Sequence, residues 1–304
     1  MRNILLRGLL FGALVLILAG CGQEPAGDVG TEIVSAEEAL LILETRDDAV
    51  LVDARPGVDY NREHIEGAVS VSRADIVVNS PFPALLAPPE QIENAFGRRG
   101  ISNDSLILAY DDSGNMDAAR LWWTLKVYGH HDVKVVSGGY AALRSAGAQV
   151  TSSAHTHTQA TFSTEAPDQS MMISAKEIRD WVNDPDPSVF LIDTRSEEEY
   201  ITDGAIPGAI LLDYAGNNFS DGEYRPPRHI RIRYLEVGVD FDDTAYIYCH
   251  TSIRAAQTYL AMYNAGYRNL RLYDGAWVEW SANPMNPIFE PEQPTGVIEA
   301  PDAS

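Results

Sequence analysis

The chain has 304 residues, of which 45% are hydrophobic and 22% charged, a composition typical of a globular protein. This length predicts about two domains. The formal net charge is −22, from 22 Lys and Arg against 44 Asp and Glu, and the sequence contains no basic stripe. This charge argues against nucleic acid as a partner, because binding to phosphates needs clustered positive charge.

The N-terminus is typical of a secretion signal, since Arg2 and Arg7 precede an apolar run over residues 8–19. The run is too short to span a bilayer stably. It ends in Leu-Ala-Gly-Cys, which resembles the lipobox of bacterial lipoproteins, in which the cysteine is lipidated and becomes the new N-terminus. We therefore predict a lipoprotein signal peptide over residues 1–20 and a lipid anchor on Cys21, with an ordinary signal peptide as the alternative.

The mature chain is predicted to be more acidic still and to belong to the cell envelope. Loss of residues 1–20 removes two arginines and no acid, which takes the formal net charge from −22 to −24. Residues 21–30 are polar and predict a flexible tether. The lipid anchor implies attachment to a membrane, with the protein facing the periplasm or the exterior.

An internal repeat organises the rest of the chain. "AVLVDARPGVDYNREHIEGAVSV" at 49–71 and "VFLIDTRSEEEYITDGAIPGAILL" at 189–212 share an apolar run, Asp-x-Arg, a polar stretch with Tyr, and Ile-x-Gly-Ala. Further on, residues 121–143 align without a gap on residues 258–280. In each copy short β-rich runs alternate with amphipathic helical stretches. This order predicts an α/β fold in which each copy is a mostly parallel sheet with helices on both faces.

A Ser-, Thr- and Ala-rich stretch without periodicity separates the two copies and predicts a linker. It contains His155 and His157, but a linker without further ligands is a poor metal cage, so no metal site and no other cofactor is predicted. The Pro-rich, acidic C-terminus predicts disorder. The predicted boundaries are 31–148 for the first domain, 149–170 for the linker, 171–288 for the second domain and 289–304 for the tail.

The tandem motifs resemble those of one protein family. "VDAR…EHIEGA" and "IDTR…GAIPGA", a "YC" strand end followed by a six-residue loop, and "YDGAWVEW" are similar to the two-domain rhodanese-type sulfurtransferases. The resemblance extends from about residue 31 to residue 288. It implies a catalytic second domain with a cysteine nucleophile, and an inert first domain whose surface completes the cleft of the second.

Cys249 is the candidate nucleophile. With Cys21 predicted to carry lipid, Cys249 has no disulfide partner within the chain, and a lone thiol in an oxidising compartment is a liability unless it is used. It follows the apolar run "TAYIY" and precedes "SIRAAQTYLAMYNAG", which predicts a position between the carboxyl edge of the sheet and a helix N-terminus. The helix end and the turn amides there favour a thiolate or persulfide anion. A buried cysteine that acts as a small hydrophobe is the alternative.

Arg254 follows Cys249 by five positions and adds a positive charge able to bind an oxyanion. Only four residues intervene, whereas Cys-based phosphatases have five, so the loop suits one sulfur atom better than a phosphoryl group. In the first copy the corresponding stretch is "LILAYDDSGNMDAARLWW", so Asp111 or Asp112 replaces the cysteine. A carboxylate cannot carry a sulfane sulfur, and we predict that these acids cap the following helix.

Three other features are candidates for substrate contacts. Arg195 follows the strand-end Asp193, as Arg55 follows the equivalent acid in the inert copy, which favours a structural ion pair with substrate contact as a second role. Trp277 in "DGAWVEW" is either an aromatic near the cleft, as the resemblance implies, or a core aromatic. The run "RPPRHIRIRY" at 225–234 concentrates arginines, which either steer anionic substrates or form a solvated helix face.

The predicted activity is transfer of sulfane sulfur from thiosulfate through a Cys249 persulfide to cyanide or a thiol. Within the loop, His250, Thr251 and Ser252 match neither the basic residues of family members that prefer thiosulfate nor the small residues of those that prefer mercaptopyruvate. A protonated His250 would add positive charge, which favours the thiosulfate dianion. 3-Mercaptopyruvate as the donor is one alternative, and a non-catalytic, lipid-anchored redox or binding module is the other.

Overall fold

The computed structural model describes residues 30–153 and 158–291. The strands of the first half are β1 (Ile33–Val34), β2 (Ala49–Asp53), β3 (His64–Ile65), β4 (Val69–Ser70), β5 (Val77–Val78), β6 (Leu85–Leu86), β7 (Leu106–Tyr110), β8 (Val133–Val136) and β9 (Val150–Thr151). Its helices are α1 (Ala36–Thr45), α2 (Gly57–Arg62), α3 (Arg73–Ile76), α4 (Pro89–Gly97), α5 (Met116–Val127) and α6 (Gly139–Ser145).

The second half repeats this alternation with fewer strands. Its strands are β10 (Val189–Asp193), β11 (Ile210–Leu211), β12 (Thr244–Tyr248) and β13 (Leu270–Leu272). Its helices are α7 (Ala175–Asn183), α8 (Glu197–Asp203), α9 (Pro227–Leu235), α10 (Ile253–Asn264) and α11 (Ala276–Ala282), with short 3-10 helices at Gln169–Met171 and Tyr214–Asn217.

Parallel pairing builds one main sheet in each half. The strand order is β1-β8-β7-β2-β4 in the first sheet and β11-β10-β12-β13 in the second. The central pairs correspond, because β2 pairs with β7 over five residues as β10 pairs with β12. The predicted mostly parallel sheets are therefore confirmed.

Helices cover both faces of each sheet, as the alternation of side chains along the strands requires. In β2, Leu51 packs into a core with α1 and α6, whereas its neighbour Val52 packs into the opposite core with α4 and α5. In β10, Leu191 packs with α7 and α11, whereas Ile192 packs on the side of α10. The predicted α/β architecture is confirmed in both halves.

The two halves share one hydrophobic core where α5 packs against α10. The ring of Trp122 on α5 lies 6.1 Å from that of Tyr259 and 5.4 Å from that of Tyr263, both on α10. Each of these helices begins directly after the loop at the end of a central strand. The helix pair therefore fixes the two loops relative to one another.

The segment predicted as a linker contributes to the first half. Val150–Thr151 pair antiparallel with His64–Ile65, and the Phe162 ring stacks on Phe96 at 5.0 Å. His155 and His157 lie outside the described residues. In the described ranges, no group of three or more His, Cys, Asp or Glu side chains is placed to hold a metal ion.

The described chain extends three residues, 289–291, into the predicted tail. Phe289 exchanges two backbone hydrogen bonds of 2.8 Å with Ala205, so it belongs to the second half. The rest of the tail beyond residue 291, the predicted signal peptide and Cys21 lie outside the described residues. Among the helices at residues 30–153 and 158–291, none is long and apolar enough to cross a membrane.

Candidate active site

Cys249 lies at the carboxyl end of β12, immediately before the loop that leads into α10. The residue is fully buried. His250 is 43% exposed, Thr251 is partly exposed, and Ser252 is buried as the N-cap of α10. The predicted position at a sheet edge and a helix N-terminus agrees with this geometry.

A buried Asp-Arg-Tyr arrangement supports this loop from behind. The Arg195 guanidinium donates to both carboxylate oxygens of Asp193, and its Nη2 donates to the carbonyl of Gly204 at 2.7 Å. The Tyr248 hydroxyl donates to Asp193 Oδ2 at 2.7 Å. Asp193 and Arg195 are both completely buried.

The first half contains the same arrangement, with Arg55 donating to Asp53 and to the carbonyl of Glu63, and Tyr110 donating to Asp53 at 2.6 Å. Because it recurs where no cysteine is present, its role is structural. Arg195 therefore has the predicted structural ion pair, and direct contact between Arg195 and a substrate stays a prediction.

Trp277 packs in the core, and its backbone amide donates a hydrogen bond to the carbonyl of Cys249. Its ring is 4% exposed and lies 4.5 Å from the Arg195 guanidinium, and its backbone amide donates to the Cys249 carbonyl at 2.9 Å. Tyr140 occupies the same place in the first half, where its amide donates to the Asp111 carbonyl at 2.8 Å. Of the two interpretations of Trp277, the structure supports the core aromatic.

Asp111, not Asp112, occupies the position of Cys249 in the first half. Its Oδ1 accepts hydrogen bonds from the amides of Ser113 and Asn115, and its Oδ2 accepts one from Ala118, each at 2.9 Å. The prediction that this acid caps the following helix is confirmed. Burial raises the pKa of Asp111 to about 6, although the amide hydrogen bonds lower it.

The loop after Cys249 has the same form as the loop after Asp111 but is one residue shorter. The N-cap residues Asn115 and Ser252 have nearly identical left-handed φ values of 66° and 67°, but Asn115 follows Asp111 by four positions, whereas Ser252 follows Cys249 by three. No described residue accepts a hydrogen bond from the amides of Thr251 or Ser252. These amides are available to an anion held at the Cys249 sulfur.

Arg254 lies beside Cys249 and forms an ion pair that the sequence did not predict. Its Nη1 and Nη2 donate to the two carboxylate oxygens of Glu199 at 2.5 and 2.7 Å. Burial lowers the pKa of Arg254, but the hydrogen bonds to Glu199 and the attraction of the Cys249 thiolate outweigh burial and raise it. The hydrogen bond from Arg254 in turn lowers the pKa of Glu199 to about 2, so this pair is ionised at neutral pH.

His250 lies near the same carboxylate, with its Nδ1 3.9 Å from Glu199 Oε1. Glu199 is also the capping-box residue of α8, accepting from the amide and hydroxyl of Ser196. The sequence signal for Glu199 was only the motif "SEEE", a capping box, which did not indicate an ion pair with the loop 55 positions away.

A buried arginine of the first half reaches into the catalytic loop. Arg120 on α5 donates from Nη1 to Ser252 Oγ at 2.9 Å and from Nη2 to Asp274 Oδ1 at 2.7 Å. Asp274 Oδ2 also accepts from the amide of Leu86 at 2.7 Å. Sequence reasoning missed Arg120, for which the only signal was a charged residue inside the otherwise apolar stretch "AARLWW".

An open cleft of about 560 Å³ lies between the first half and the catalytic loop. Thr251 is the residue that the second half contributes to its wall. The first half contributes Ala54, Pro56, Gly57, Ser72, Arg73, Ala74, Val77, Asn79, Pro83, Ala84 and Asp117. Arg73 donates from Nε to Asp117 at 2.7 Å, so its charge is partly balanced there. The inert half therefore forms most of the wall next to the loop.

One arginine of the run at 225–234, Arg231, lies away from Cys249. Arg231 donates from Nε to the carbonyl of Ala265, just after the C-terminus of α10, whereas Cys249 precedes the N-terminus of that helix. Twelve helical residues span about 18 Å. Arg225 and Arg233 donate instead to the carbonyls of Asn218 and Asp213. None of these contacts directs an arginine at Cys249, and the steering interpretation stays a prediction.

These features define an α/β protein of two similar halves, with one thiol among the described residues, at the end of a central strand of the second half. The family model described as "Rhodanese-like domain" matches residues 35–146 and 174–283. The chain therefore belongs to the rhodanese family, with two rhodanese-like domains. Its predicted resemblance to the rhodanese-type sulfurtransferases is confirmed at the level of the family.

Similar proteins include sulfurtransferases with two different named donors. A Mycolicibacterium smegmatis protein named "Putative thiosulfate sulfurtransferase" is 27% identical over 246 residues, which cover 75% of this chain and 87% of that protein. A Pseudomonas aeruginosa protein named "Probable 3-mercaptopyruvate sulfurtransferase" is 28% identical over 274 residues, covering 83% and 93%. The chain is thus similar to both kinds.

Solved structures confirm the fold. The anaerobic ergothioneine biosynthesis enzyme from Chlorobium limicola, solved with trimethyl histidine, superposes with a TM-score of 0.77 over 86% of this chain and 71% of that chain. Its sequence identity is 22%, so the similarity concerns the fold alone.

Proposed function

We propose that the protein transfers sulfane sulfur from thiosulfate to cyanide or a thiol through a persulfide on Cys249. The observation that carries the proposal is Asp111, whose carboxylate accepts three amide hydrogen bonds of 2.9 Å at the place equivalent to Cys249. A loop of this form binds an anion. With a cysteine in that place, the anion is a thiolate or a persulfide.

Each half-reaction exchanges one sulfur–sulfur bond. The Cys249 thiolate attacks the outer sulfur of thiosulfate, a bond forms between the two sulfurs, and sulfite leaves with the electron pair of the broken S–S bond. Cyanide then attacks the outer sulfur of the persulfide, thiocyanate leaves, and the thiolate is restored. A thiol acceptor, after losing its proton to solvent, attacks the same sulfur.

The loop residues have distinct roles in this proposal. The Arg254 guanidinium stabilises the negative charge of the thiolate and persulfide, and the amides of Thr251 and Ser252 donate to the anion. His250 and Thr251 are the exposed members of the loop and contact the donor. Arg195 acts indirectly, through its buried hydrogen bonds with Asp193, which also accepts from Tyr248 next to Cys249. A lipid on Cys21 attaches the protein to the membrane of the cell envelope.

3-Mercaptopyruvate is the second candidate donor. The ion pair between Arg254 and Glu199 favours it, because the carboxylate offsets the positive charge that a dianion would need. The Pseudomonas aeruginosa relative carries the name of this activity. Thiosulfate is preferred here because the amides of Thr251 and Ser252 and the N-terminal end of α10 add positive potential at the sulfur.

Mass spectrometry of the purified protein tests the proposal. Incubation with thiosulfate should add one sulfur atom to the peptide that contains Cys249, and cyanide should then remove it with formation of thiocyanate. Cys249→Ser, which nearly matches the wild-type side chain in size, should show neither step. A non-catalytic redox module would instead show an oxidised or unmodified Cys249 and no thiocyanate.

A further inference from the structure

A short hairpin of the first half lies at the wall of the cleft next to Thr251. Its strands, β5 and β6, pair antiparallel, and residues 79–84 connect them. Ala84 ends this connection with a φ of 61°, a left-handed conformation that is disfavoured for a residue with a Cβ. Asn79 holds this conformation, because its Oδ1 accepts a hydrogen bond of 3.0 Å from the Ala84 amide.

The β5–β6 hairpin binds both members of a buried ion pair. The Ala84 carbonyl accepts from Nη2 of Arg120 at 3.1 Å, and the Leu86 amide donates to Oδ2 of Asp274 at 2.7 Å. Arg120 and Asp274 come from different halves, and their charged atoms lie 2.7 Å apart. Because Arg120 is completely buried, a partner that moves away leaves one of its donors unsatisfied.

The same ion pair contacts the loop after Cys249. Arg120 donates from Nη1 to Ser252 Oγ at 2.9 Å, and that hydroxyl lies 3.3 Å from Asp274 Oδ1. Ser252 has a left-handed φ of 67°, so the loop also depends on contacts that hold a disfavoured backbone conformation. The hairpin and the loop are therefore joined by a continuous path of hydrogen bonds.

Asn79 is the exposed end of this path. Among the described residues, its side chain has a hydrogen bond with Ala84 alone. We propose that Asn79 is a positioning residue for sulfur transfer. It fixes Ala84, whose carbonyl fixes the side chain of Arg120, and Arg120 in turn fixes the loop. The inference rests on the proposed function, in which that loop carries the persulfide of Cys249.

Loss of the Asn79 acceptor should act on the loop rather than on the core. Without it, Ala84 is free to leave the left-handed conformation, which turns its carbonyl away from Arg120. The amides of Thr251 and Ser252 then no longer converge beside the sulfur, and small misplacements of reacting groups lower rates strongly. Asn79 lines the open cleft, so a shorter side chain at this position leaves no cavity in the core.

Three variants and a matched control test the path. Asn79→Ala removes the acceptor, Asn79→Asp keeps an acceptor oxygen, and Asn79→Ala/Ala84→Gly supplies a residue that adopts a left-handed φ unaided. The control is Asn103→Ala, since Asn103 is an exposed residue of the first half whose Oδ1 accepts from the Ser163 amide at 2.8 Å. Single-turnover persulfide formation is measured with thiosulfate and with 3-mercaptopyruvate, each at saturating concentration, and urea unfolding of the same proteins measures stability.

Asn79→Ala should lower the rate of persulfide formation about tenfold, whereas Asn103→Ala should leave it unchanged. Asn79→Asp should stay within about twofold of the wild type at saturating donor, where weaker binding of an anion beside the new charge has no effect. The double variant should recover to within about threefold of the wild type. The two Asn→Ala variants should lose similar stability, so stability does not account for the difference in rate.

The other outcomes overturn the proposal. Equal rates for Asn79→Ala and Asn103→Ala would contradict the positioning role while the proposed function stands. A rate for Asn79→Asp as low as that of Asn79→Ala, or no recovery in the double variant, would show that the effect does not pass through the backbone of Ala84. A wild type that accepts sulfur from neither donor would contradict the proposed function and the positioning role together.

Discussion

Arg120 of the first domain and Ser252 of the loop after Cys249 are joined by a 2.9 Å hydrogen bond across 132 positions of the sequence. Ser252 is a non-glycine residue at φ 67°, a strained conformation for an L-residue. Arg120 thus helps to hold the loop in the form in which its amides converge beside Cys249. The first domain therefore contributes a direct contact to the loop after Cys249.

Arg120→Met should impair both stability and turnover. The change leaves Asp274, which is 12% exposed, without its cationic partner, and we expect the free energy of unfolding to fall by about 3 kcal/mol. A displaced loop should lower kcat/KM for thiosulfate roughly tenfold to hundredfold. Denaturant unfolding and steady-state kinetics measure the two effects.

Arg144→Met, at a 54% exposed position of the same domain, is the control and should change stability by less than about 0.5 kcal/mol. The double variant Arg120→Met/Asp274→Asn should lose less free energy of unfolding than the two single variants lose together, because the two side chains interact directly. A loss of stability with unchanged kcat/KM would limit Arg120 to a structural role.

Asp111 should make the protein more stable as the pH falls toward 4. Its pKa is raised from 3.8 to about 6 in the folded state, so between these values the folded chain binds a proton that the unfolded chain does not. Relative to Asp111→Asn, the wild type should gain up to about 3 kcal/mol between pH 7 and pH 4. Urea unfolding at several pH values measures this difference.

Asp221→Asn, at an exposed position, provides the control and should keep the pH dependence of the wild type. If Asp111→Asn showed the same pH dependence of stability as the wild type, the Asp111 carboxylate would already be ionised in the folded protein throughout this range. The amide hydrogen bonds would then lower the pKa of Asp111 by as much as burial raises it.

The sequence predicted the position of Cys249 at the end of a strand because this residue interrupts an apolar run, which is a local signal. It could not decide between Asp111 and Asp112, since the two loops differ by one residue and the gap-free alignment starts only beyond them. The contacts of Arg120 with Ser252 and of Arg254 with Glu199 depend on how α5, α8 and α10 pack. Such long-range contacts leave no periodic pattern in a single sequence.

Arg254→Met should slow persulfide formation. Without the guanidinium, Cys249 loses the cation that interacts with it and Glu199 is left unpaired, so we expect kcat/KM for thiosulfate to fall about hundredfold, or roughly 2.7 kcal/mol. Arg254→Lys should recover only part of this loss, because an ammonium cannot form the two-point contact with Glu199. Single-turnover persulfide formation is the measurement.

Lys176→Met, on a 75% exposed side chain that pairs with Asp180, is the control for removing a cation from the second domain. It should leave the rate of persulfide formation unchanged. Equal effects of Lys176→Met and Arg254→Met would assign the loss to net charge rather than to the loop.

Cys21→Ala should release the protein from the membrane or mislocalise it. Diacyl and acyl chains on one cysteine bury far more methylene groups than a single myristoyl chain, which alone binds membranes only marginally. Fractionation of cells that produce the wild type and the variant measures the change. An unchanged membrane fraction would contradict the anchor, and soluble Cys21→Ala with intact sulfur transfer would separate the anchor from the chemistry.

The preferred donor should depend on His250. Arg254 and Glu199 form an ion pair with no net charge, and His250 lies 3.9 Å from the same carboxylate. We expect thiosulfate to be the better donor, and His250→Ala to lower kcat/KM for the thiosulfate dianion while Cys249 still forms a persulfide. Steady-state kinetics of the wild type and the variant with both donors provide the comparison. A preference for 3-mercaptopyruvate of tenfold or more, about 1.4 kcal/mol of transition-state binding, would instead make the small, cleft-facing Thr251 and the neutral Arg254–Glu199 pair the determinants of specificity.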